Sequence, residues 1–362
     1  MKKGMFLQGF ENDPSYSIVT PELPVRVQER LGVIWRNLPP AVSIYGARKP
    51  IGTALLDLQR EVREMCDAHP ENIEILGLLG EVYKRAGNIV MAMTIWRGAY
   101  DQVMVLLQMT PPGTKLFWGA LGNQPFHQLT YDLLSEHMAM AKNFSIDPNA
   151  SAAVRMHYES ALALMLTMLR LNPNDNHAIR DEIALPCMTL NRPETLAEIY
   201  KWHYTDSEDE ESSSPAGAAA LHAAWAAACM GRKAQSVKLL TQAVREHPVR
   251  VAALLFDAIE PSGLDPEGRE GYIGNSYHEA HIYHHKFSRF WRAEPKAMAA
   301  LEKVRPLLNN AIIRMLRMWD FSPSFFPPAS FMTALGIPKH LIPPLRDRNA
   351  PRKADADWPP LD

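Results

Sequence analysis

Apolar residues recur every three or four positions along most of the chain, the spacing that places them on one face of an α-helix. The clearest stripe runs from Ile89 to Leu107, and it ends before Pro111 and Pro112 because proline cannot donate the helical hydrogen bond. No segment shows the convincing alternation of a half-buried strand, and an extended piece at 41–45 would have no partner. The pattern therefore predicts an all-α protein. Helices are expected over residues 25–38, 55–69, 73–86, 89–107, 126–143, 152–171, 176–190, 193–204, 216–230, 233–246, 277–291 and 295–319.

The two ends of the chain and one internal segment differ from this helical region. Residues 1–50 contain six prolines and one predicted helix, so they are expected to form a proline-rich N-terminal arm. Residues 321–362 are also dense in proline and are predicted to form a largely extended C-terminal tail. The segment 205–215, TDSEDEESSSP, is too polar to bury its own surface. The sequence thus predicts a helical-repeat domain over 51–320, with 205–215 as an acidic loop inserted in it.

One predicted helix pair has the residue pattern of a known repeat. Small residues in it allow two antiparallel helices to approach, and aromatic residues fill the gap toward the next pair. The pattern consists of Leu76, Leu79, Gly80, Tyr83, Gly87, Ala92, Trp96 and Ala99. In this order of bulky, small and aromatic positions the segment resembles the tetratricopeptide-repeat family. That resemblance implies that Gly80, Tyr83, Ala92, Trp96 and Ala99 pack the repeat.

Three predicted helices end before a proline, as the helix pairs of that family do. The prolines are Pro70, Pro173 and Pro248, and the intervals of 103 and 75 residues compare with about three and two periods of 34 residues. The excess in the second interval is about what the acidic loop would supply. We count three to five repeats, several of them degenerate. The resemblance therefore implies a tetratricopeptide-like α-solenoid of antiparallel helix pairs, with Pro173 and Pro248 at repeat ends.

A second resemblance covers roughly 130 residues of the C-terminal half. It includes the run Asn172–Asn176 with Arg180, Pro186 within the next helix, and the small-residue helix that ends at Gly231. These features, with Gly274–Ser276 and the helix after it, look like the tetratricopeptide-like region of the suppression-of-tumorigenicity proteins. Members of that family begin with membrane-spanning segments, which this sequence does not show. The resemblance implies a fold and brings no catalytic chemistry with it.

The largest local cluster of potential metal-binding side chains in the sequence is on a predicted histidine-rich helix. His278, His281 and His285 lie within about 60° of one helix face, where neutral imidazoles can bind zinc. The spacing is not HExxH, and no fourth ligand is visible, so packing or surface histidines are the competing interpretation. Neither GxGxxG, nor a phosphate-binding loop, nor GxSxG is present. We therefore predict no cofactor and no catalytic residue, and treat a metal protein or enzyme centred on this helix as the alternative.

Charge, hydropathy and cysteine content limit the partners and the cellular compartment that the sequence predicts. The 38 basic and 40 acidic residues give a net charge of −2, so neither nucleic acid nor an anionic membrane is an expected partner. The longest uncharged apolar stretch, 216–230, is shorter than the roughly 20 residues of a membrane span. Three cysteines without a CxxC pair fit the cytosol or the nucleus. Ser207, followed by acidic residues, has the pattern of an acidophilic kinase site.

The sequence predicts a scaffold or adaptor whose solenoid groove binds a peptide or helix of another protein. Tetratricopeptide domains that grip a carboxylate terminus carry a lysine and, four residues later, an asparagine on the first helix. The matching positions here are Gly77 and Glu81, so that clamp is not expected. The sequence leaves open the partner, the oligomeric state, and whether the groove is filled by the chain's own tail or by a second copy.

Overall fold

The computed structural model describes residues 4–10, 13–38, 53–144, 151–204, 218–259, 276–318 and 327–338. These residues are mostly helical, which confirms the all-α part of the predicted fold class. Internal contacts divide the chain into two compact units, Met1–Arg180 and Asp181–Asp362. The region predicted as one domain, 51–320, contains the boundary between these units. No helix within the described ranges combines the length and the apolar character that a membrane crossing requires.

The first unit consists of a two-stranded sheet and a series of helices. Its elements in chain order are β1 (Phe6–Phe10), β2 (Asp13–Val19), α1 (Val25–Arg36), α2 (Thr53–Ala68), α3 (Ile73–Arg85), α4 (Ile89–Leu107), a 3-10 turn (Leu121–Asn123), α5 (Gln124–Phe144) and α6 (Ser151–Leu171). Helix α3 packs against α2, α4 and α5, and α5 also packs against α4 and α6. Consecutive helices are thus neighbours, as expected where connections are short.

The α3–α4 pair shows how local chemistry sets the helix ends. Asn72 caps α3 by accepting from the backbone N–H groups of residues 74 and 75, each at 3.1 Å. Asn88 caps α4 in the same way through the N–H of residue 91 at 3.2 Å. Between the helices Gly87 has a φ of +76°, a left-handed conformation that glycine adopts without a Cβ penalty. The two helices therefore start and stop where the sequence predicts.

The N-terminal arm differs from its prediction. Strands β1 and β2 pair antiparallel over 6–19, whereas the sequence analysis expected no sheet. The arm is also part of the first unit, since Lys115 bonds to β2 through the contacts Tyr16 N to Lys115 O and Lys115 N to Pro14 O. Strand β1 is largely exposed and the buried residues of β2, Ser15 and Ile18, are three positions apart, so neither strand shows the alternation that would have identified it. The hairpin depends on backbone bonds to a loop about 100 residues away, which local patterns do not register.

The second unit is made of helices over its described residues. Its elements are α8 (Ala184–Thr189), α9 (Pro193–Tyr204), α10 (Ala219–Cys229), α11 (Lys233–Glu246), α12 (Pro248–Ala253), α13 (Tyr277–Ala293), α14 (Pro295–Met318) and α15 (Ala329–Ala334), and α7 (Ile179–Glu182) contains the unit boundary. Helix α10 is alanine-rich and almost wholly buried among α9, α11 and α14. Its small side chains allow three helices to approach it closely.

Two further predictions need correction. The helix expected over 176–190 is two short helices, α7 and α8. Ala178 has a φ of +54°, so a continuous right-handed helix cannot start before Ile179. The tail predicted as extended contains helix α15, whose Phe331 lies 5.2 Å from the rings of both Phe256 and Tyr277. The extended piece at 41–45, the acidic loop 205–215 and the tail beyond 338 lie outside the described residues.

Candidate functional site

A cleft of about 370 Å³ opens on the first unit between α3 and α5. Its floor includes Glu74 and Gly77 on α3 and a set of α5 residues spaced by four, Gln124, Gln128 and Asp132. Residues at such spacing lie on the same helix face and point the same way. Between these two rows Leu129 and Pro125 supply apolar surface. The floor is therefore a shallow trough between two packed helices, with polar groups along it.

Aromatic and apolar side chains form the walls of the cleft. Trp35 of α1, which is 38% exposed, lines the cleft together with Trp118 and Leu121 from the segment before α5. The indole of Trp118 meets the edge of the His177 ring at a centroid distance of 4.5 Å and an interplanar angle of 85°. Its backbone N–H also donates to Asn172 Oδ1 at 3.3 Å. The Trp118 wall is thus held in place by the loop after α6.

The loop that carries Trp118 is fixed by buried polar groups. Asn123, with no exposed surface, donates through Nδ2 to the carbonyls of Tyr16 and Phe117 at 2.8 and 3.0 Å. Its Oδ1 accepts from the N–H of Ile18 at 2.8 Å, which joins the loop to β2. The ring nitrogen Nε2 of His127 lies 2.5 Å from the Leu116 carbonyl, and burial lowers the pKa of His127 to about 4. These hydrogen bonds hold the segment that carries Trp118 against β2 and α5.

The charges around the cleft are unevenly distributed. Among the described residues that line it, Glu74 and Asp132 are acidic and none is basic. The nearby cations are engaged by other carboxylates, because Lys84 Nζ lies 2.7 Å from Glu136 and Arg85 Nε lies 2.6 Å from Glu81. The cleft therefore presents negative charge that its own lining does not neutralise.

Asp132 is the more perturbed of the two acids. Burial raises the pKa of its carboxyl to about 6, and the neighbouring carboxylates Glu81 and Glu136 add to that effect while Lys84 opposes it. Gln128 Nε2 donates to it at 3.2 Å. Partial burial also raises the pKa of Glu74. Both carboxylates would be stabilised as anions by a cation placed in the cleft.

The three candidate metal ligands of the histidine-rich helix differ in burial. His278, His281 and His285 lie on α13, where His278 is buried, His281 is half-buried and His285 is exposed. Across the described ranges no group of three or more His, Cys, Asp or Glu side chains is placed to hold a metal ion. Metal binding by this helix stays a prediction without a supporting ligand set.

The buried side of α13 contains an ion pair and an aromatic cluster. Glu279 pairs with Arg250 of α12, and both side chains are almost fully buried. The Arg250 guanidinium also lies 5.5 Å from the centroid of the Tyr283 ring, and His222 of α10 stacks on the same ring at 5.6 Å. Burial next to Arg250 and Lys286 lowers the pKa of His222 to about 3. These residues connect three helices of the second unit and face no described cleft.

The residues assigned to repeat packing lie in the interior of their units or at turns. Gly80 faces Trp96 across the α3–α4 contact, and Tyr83, Ala92, Trp96 and Ala99 are all at most 3% exposed. Pro248 is buried at the first turn of α12, and Pro173 is half-buried in the turn after α6. Ser207 lies outside the described residues.

The cysteines do not provide reactive groups. All three are free, and burial raises the pKa values of the Cys66 and Cys187 thiols to about 12. Thiols with such pKa values are protonated near neutral pH and are poor nucleophiles. Cys229 has a pKa raised to about 12 for the same reason. Candidate chemistry therefore concentrates at the cleft.

Sequence reasoning did not identify the cleft residues Trp35, Trp118, Glu74 and Asp132. The polar face of α3 at residues 74, 77 and 81 is a signal that was available, because it lies opposite the apolar stripe. Trp118 lies in an aperiodic stretch and Trp35 in the predicted arm, so neither could be assigned to a site. No match to this chain was found among protein-family models, curated proteins or solved structures. A functional proposal therefore has to be argued from the geometry of the chain itself.

Proposed function

We propose that the chain is a scaffold or adaptor whose first unit binds a segment of another protein in the cleft between α3 and α5. The observation that carries this proposal is the cleft between α3 and α5, which the indoles of Trp35 and Trp118 line together with polar side chains of both helices. Tryptophan is enriched at protein–protein interfaces and among the residues that contribute most to binding. In this proposal Trp35 and Trp118 contact side chains of the bound segment.

The arrangement of helices supports the proposal. Helices α3 and α5 contact each other and are the first members of two successive pairs, α3–α4 and α5–α6. In a tetratricopeptide-like solenoid, the first helices of successive pairs line the groove, so the proposed binding face is the groove of such an array. The solenoid arrangement and the repeat relationship are part of this proposal. The three free cysteines are compatible with a reducing compartment such as the cytosol or nucleus.

Gly77 offers a way to block the cleft. A Cβ placed on Gly77 would have the Leu129 Cβ as its nearest neighbour at 4.0 Å, which is ordinary contact. The Cβ of Gly77→Leu is therefore accommodated, and the rest of the leucine side chain is expected to occupy part of the cleft that Gly77 lines. Gly98→Leu is the matched control, because Gly98 is an exposed glycine of α4 with open space around its Cβ position.

The experiment selects binders from a random peptide library displayed on phage against the full-length chain. Selected peptides should bind the wild type and Gly98→Leu equally and should bind Gly77→Leu at least tenfold more weakly. Circular dichroism melts would establish that both variants are folded. Recovery of no binding peptide, or equal binding by Gly77→Leu, would refute the proposed function.

A further inference from the structure

We infer that the cleft recognises a cationic side chain, a lysine or an arginine, in the bound segment of the partner protein. This inference rests on the proposed function, because it names the chemistry of the segment that enters the same cleft. It is carried by the combination of two indole walls with two carboxylates that no lining residue neutralises.

The first argument is charge complementarity. Glu74 of α3 and Asp132 of α5 both line the cleft, so a positive group that enters it can approach a carboxylate of either helix. Lys84 and Arg85 do not line the cleft, and they form ion pairs with Glu136 and Glu81. Lys84 opposes the rise in the Asp132 pKa without cancelling it, and Arg85 Nη1 also donates to the Leu38 carbonyl at 3.2 Å. A positive charge inside the cleft would therefore come from the ligand.

The second argument comes from the walls. An indole attracts a cation over its face more strongly than the other aromatic side chains do, and a guanidinium plane also stacks on it. Trp35 and Trp118 supply two such rings beside the carboxylates. Gln124 and Gln128 add amide oxygens that can accept from an ammonium or a guanidinium group. The aromatic and polar components of the cleft therefore favour a long basic side chain.

The glycine on the floor supports the same conclusion. Gly77 has no side chain, so it leaves room in the cleft lining for a long side chain of the ligand. A ligand carboxylate would instead meet Glu74 and Asp132, and none of the described lining residues is a cation. Like charges so placed disfavour binding, and an acidic segment is excluded by the same geometry that favours a basic one.

The state of Asp132 predicts how binding depends on pH. The charged groups that act on Asp132 are Lys84 and Glu81 of α3 and Glu136 of α5, and its carboxyl titrates near pH 6. A bound cation favours the anionic form, so cation binding releases a proton from Asp132 when the pH lies below 6. Affinity for a basic segment should therefore be highest above pH 7 and should fall between pH 6.5 and 5.

The test uses the peptides selected on the full-length chain. We expect them to be enriched in lysine or arginine, and we expect replacement of the basic residue by norleucine or citrulline to weaken binding at least tenfold. Asp132→Asn should weaken binding several-fold at pH 7.5 and should abolish the decrease in affinity between pH 6.5 and 5. Asp101→Asn is the control, because Asp101 is an exposed carboxylate of α4 paired with Arg97.

The outcomes separate this inference from the proposed function. Peptides that lose binding to Gly77→Leu but contain no required basic residue would overturn the cationic inference and retain the cleft as a binding site. A basic peptide that binds wild type and Asp132→Asn equally across this pH range would also overturn it. Peptides insensitive to Gly77→Leu would refute both proposals. The pH profile of the wild type provides an independent result if Asp132→Asn fails to fold.

Discussion

Substitution of Gly80 by alanine tests how the α3–α4 pair is packed. An alanine Cβ at this position would lie 2.5 Å from both Cδ1 and Cε2 of the Trp96 ring, and closer still to Nε1. Trp96 has no exposed surface, and its indole N–H donates to the Gly77 carbonyl at 3.1 Å. The ring therefore cannot move away without leaving its cavity and weakening that hydrogen bond. Gly80→Ala should separate α3 from α4 and destabilise the first unit.

The expected magnitude follows from three contributions. Overpacking of a filled interior costs about 1–3 kcal/mol. Weakening of the indole hydrogen bond costs about 1 kcal/mol. Alanine in place of glycine within a helix contributes about 1 kcal/mol in the opposite direction. The free energy of unfolding should therefore decrease by about 2 kcal/mol.

Urea unfolding followed by far-ultraviolet circular dichroism would measure this change. Gly98→Ala is the matched control, since an added Cβ there meets nothing within 4 Å and only the gain in helix propensity remains. The control should raise stability by up to about 1 kcal/mol, so the two substitutions should have opposite signs. If Gly80→Ala were as stable as Gly98→Ala, the proposed close packing of Trp96 against α3 would be wrong.

Two further predictions concern the second unit. His222 has a folded pKa of about 3, below its ordinary value of 6.5, so its contribution to stability is present above pH 6.5 and is lost as the pH falls. His222→Phe keeps a ring in contact with Tyr283 but cannot take up a proton. Between pH 7.5 and 5 the unfolding free energy of the wild type should therefore fall by about 2 kcal/mol more than that of His222→Phe, as measured by urea titrations at both pH values. Arg250→Met removes the ion-pair partner of the buried Glu279 carboxylate and should cost about 3–5 kcal/mol. The double variant with Glu279→Leu should regain most of that loss in thermal melts, and a double variant no more stable than Arg250→Met would contradict the ion-pair argument.

Helices with strong periodicity could be predicted from the sequence nearly residue by residue. Helix α11 covers Lys233–Glu246 as expected, and α6 begins one residue before its predicted start. Their apolar stripes and capping signals are local, so no distant contact is needed to identify them. The β1–β2 hairpin could not be predicted in this way, because Lys115 and Asn123 stabilise it from about 100 positions away.

The cleft could be predicted only in part, for a related reason. Glu74 and Asp132 occupy the polar faces of α3 and α5, where a solvated surface and a binding site have the same sequence pattern. Trp118 obtains its position from Asn172 and His177, in a turn with left-handed residues that periodicity cannot reveal. Trp35 comes from a helix of the N-terminal arm. Only tertiary packing brings these three segments together.

The two glycines of α3 provide a final argument for the cleft. Each carries the penalty of about 1 kcal/mol that glycine brings to a helix interior. At Gly80 the Trp96 ring occupies the space of the missing side chain, so packing explains the residue. At Gly77 the nearest atom to a Cβ is 4.0 Å away, so packing within the chain does not require glycine there. Where packing within the chain does not explain a destabilising glycine in a helix, the close approach of another molecule is the expected reason. Gly77→Leu should therefore raise the unfolding free energy by up to about 1 kcal/mol while it removes peptide binding. If the unfolding free energy decreased together with peptide binding, the fold rather than the cleft would require Gly77.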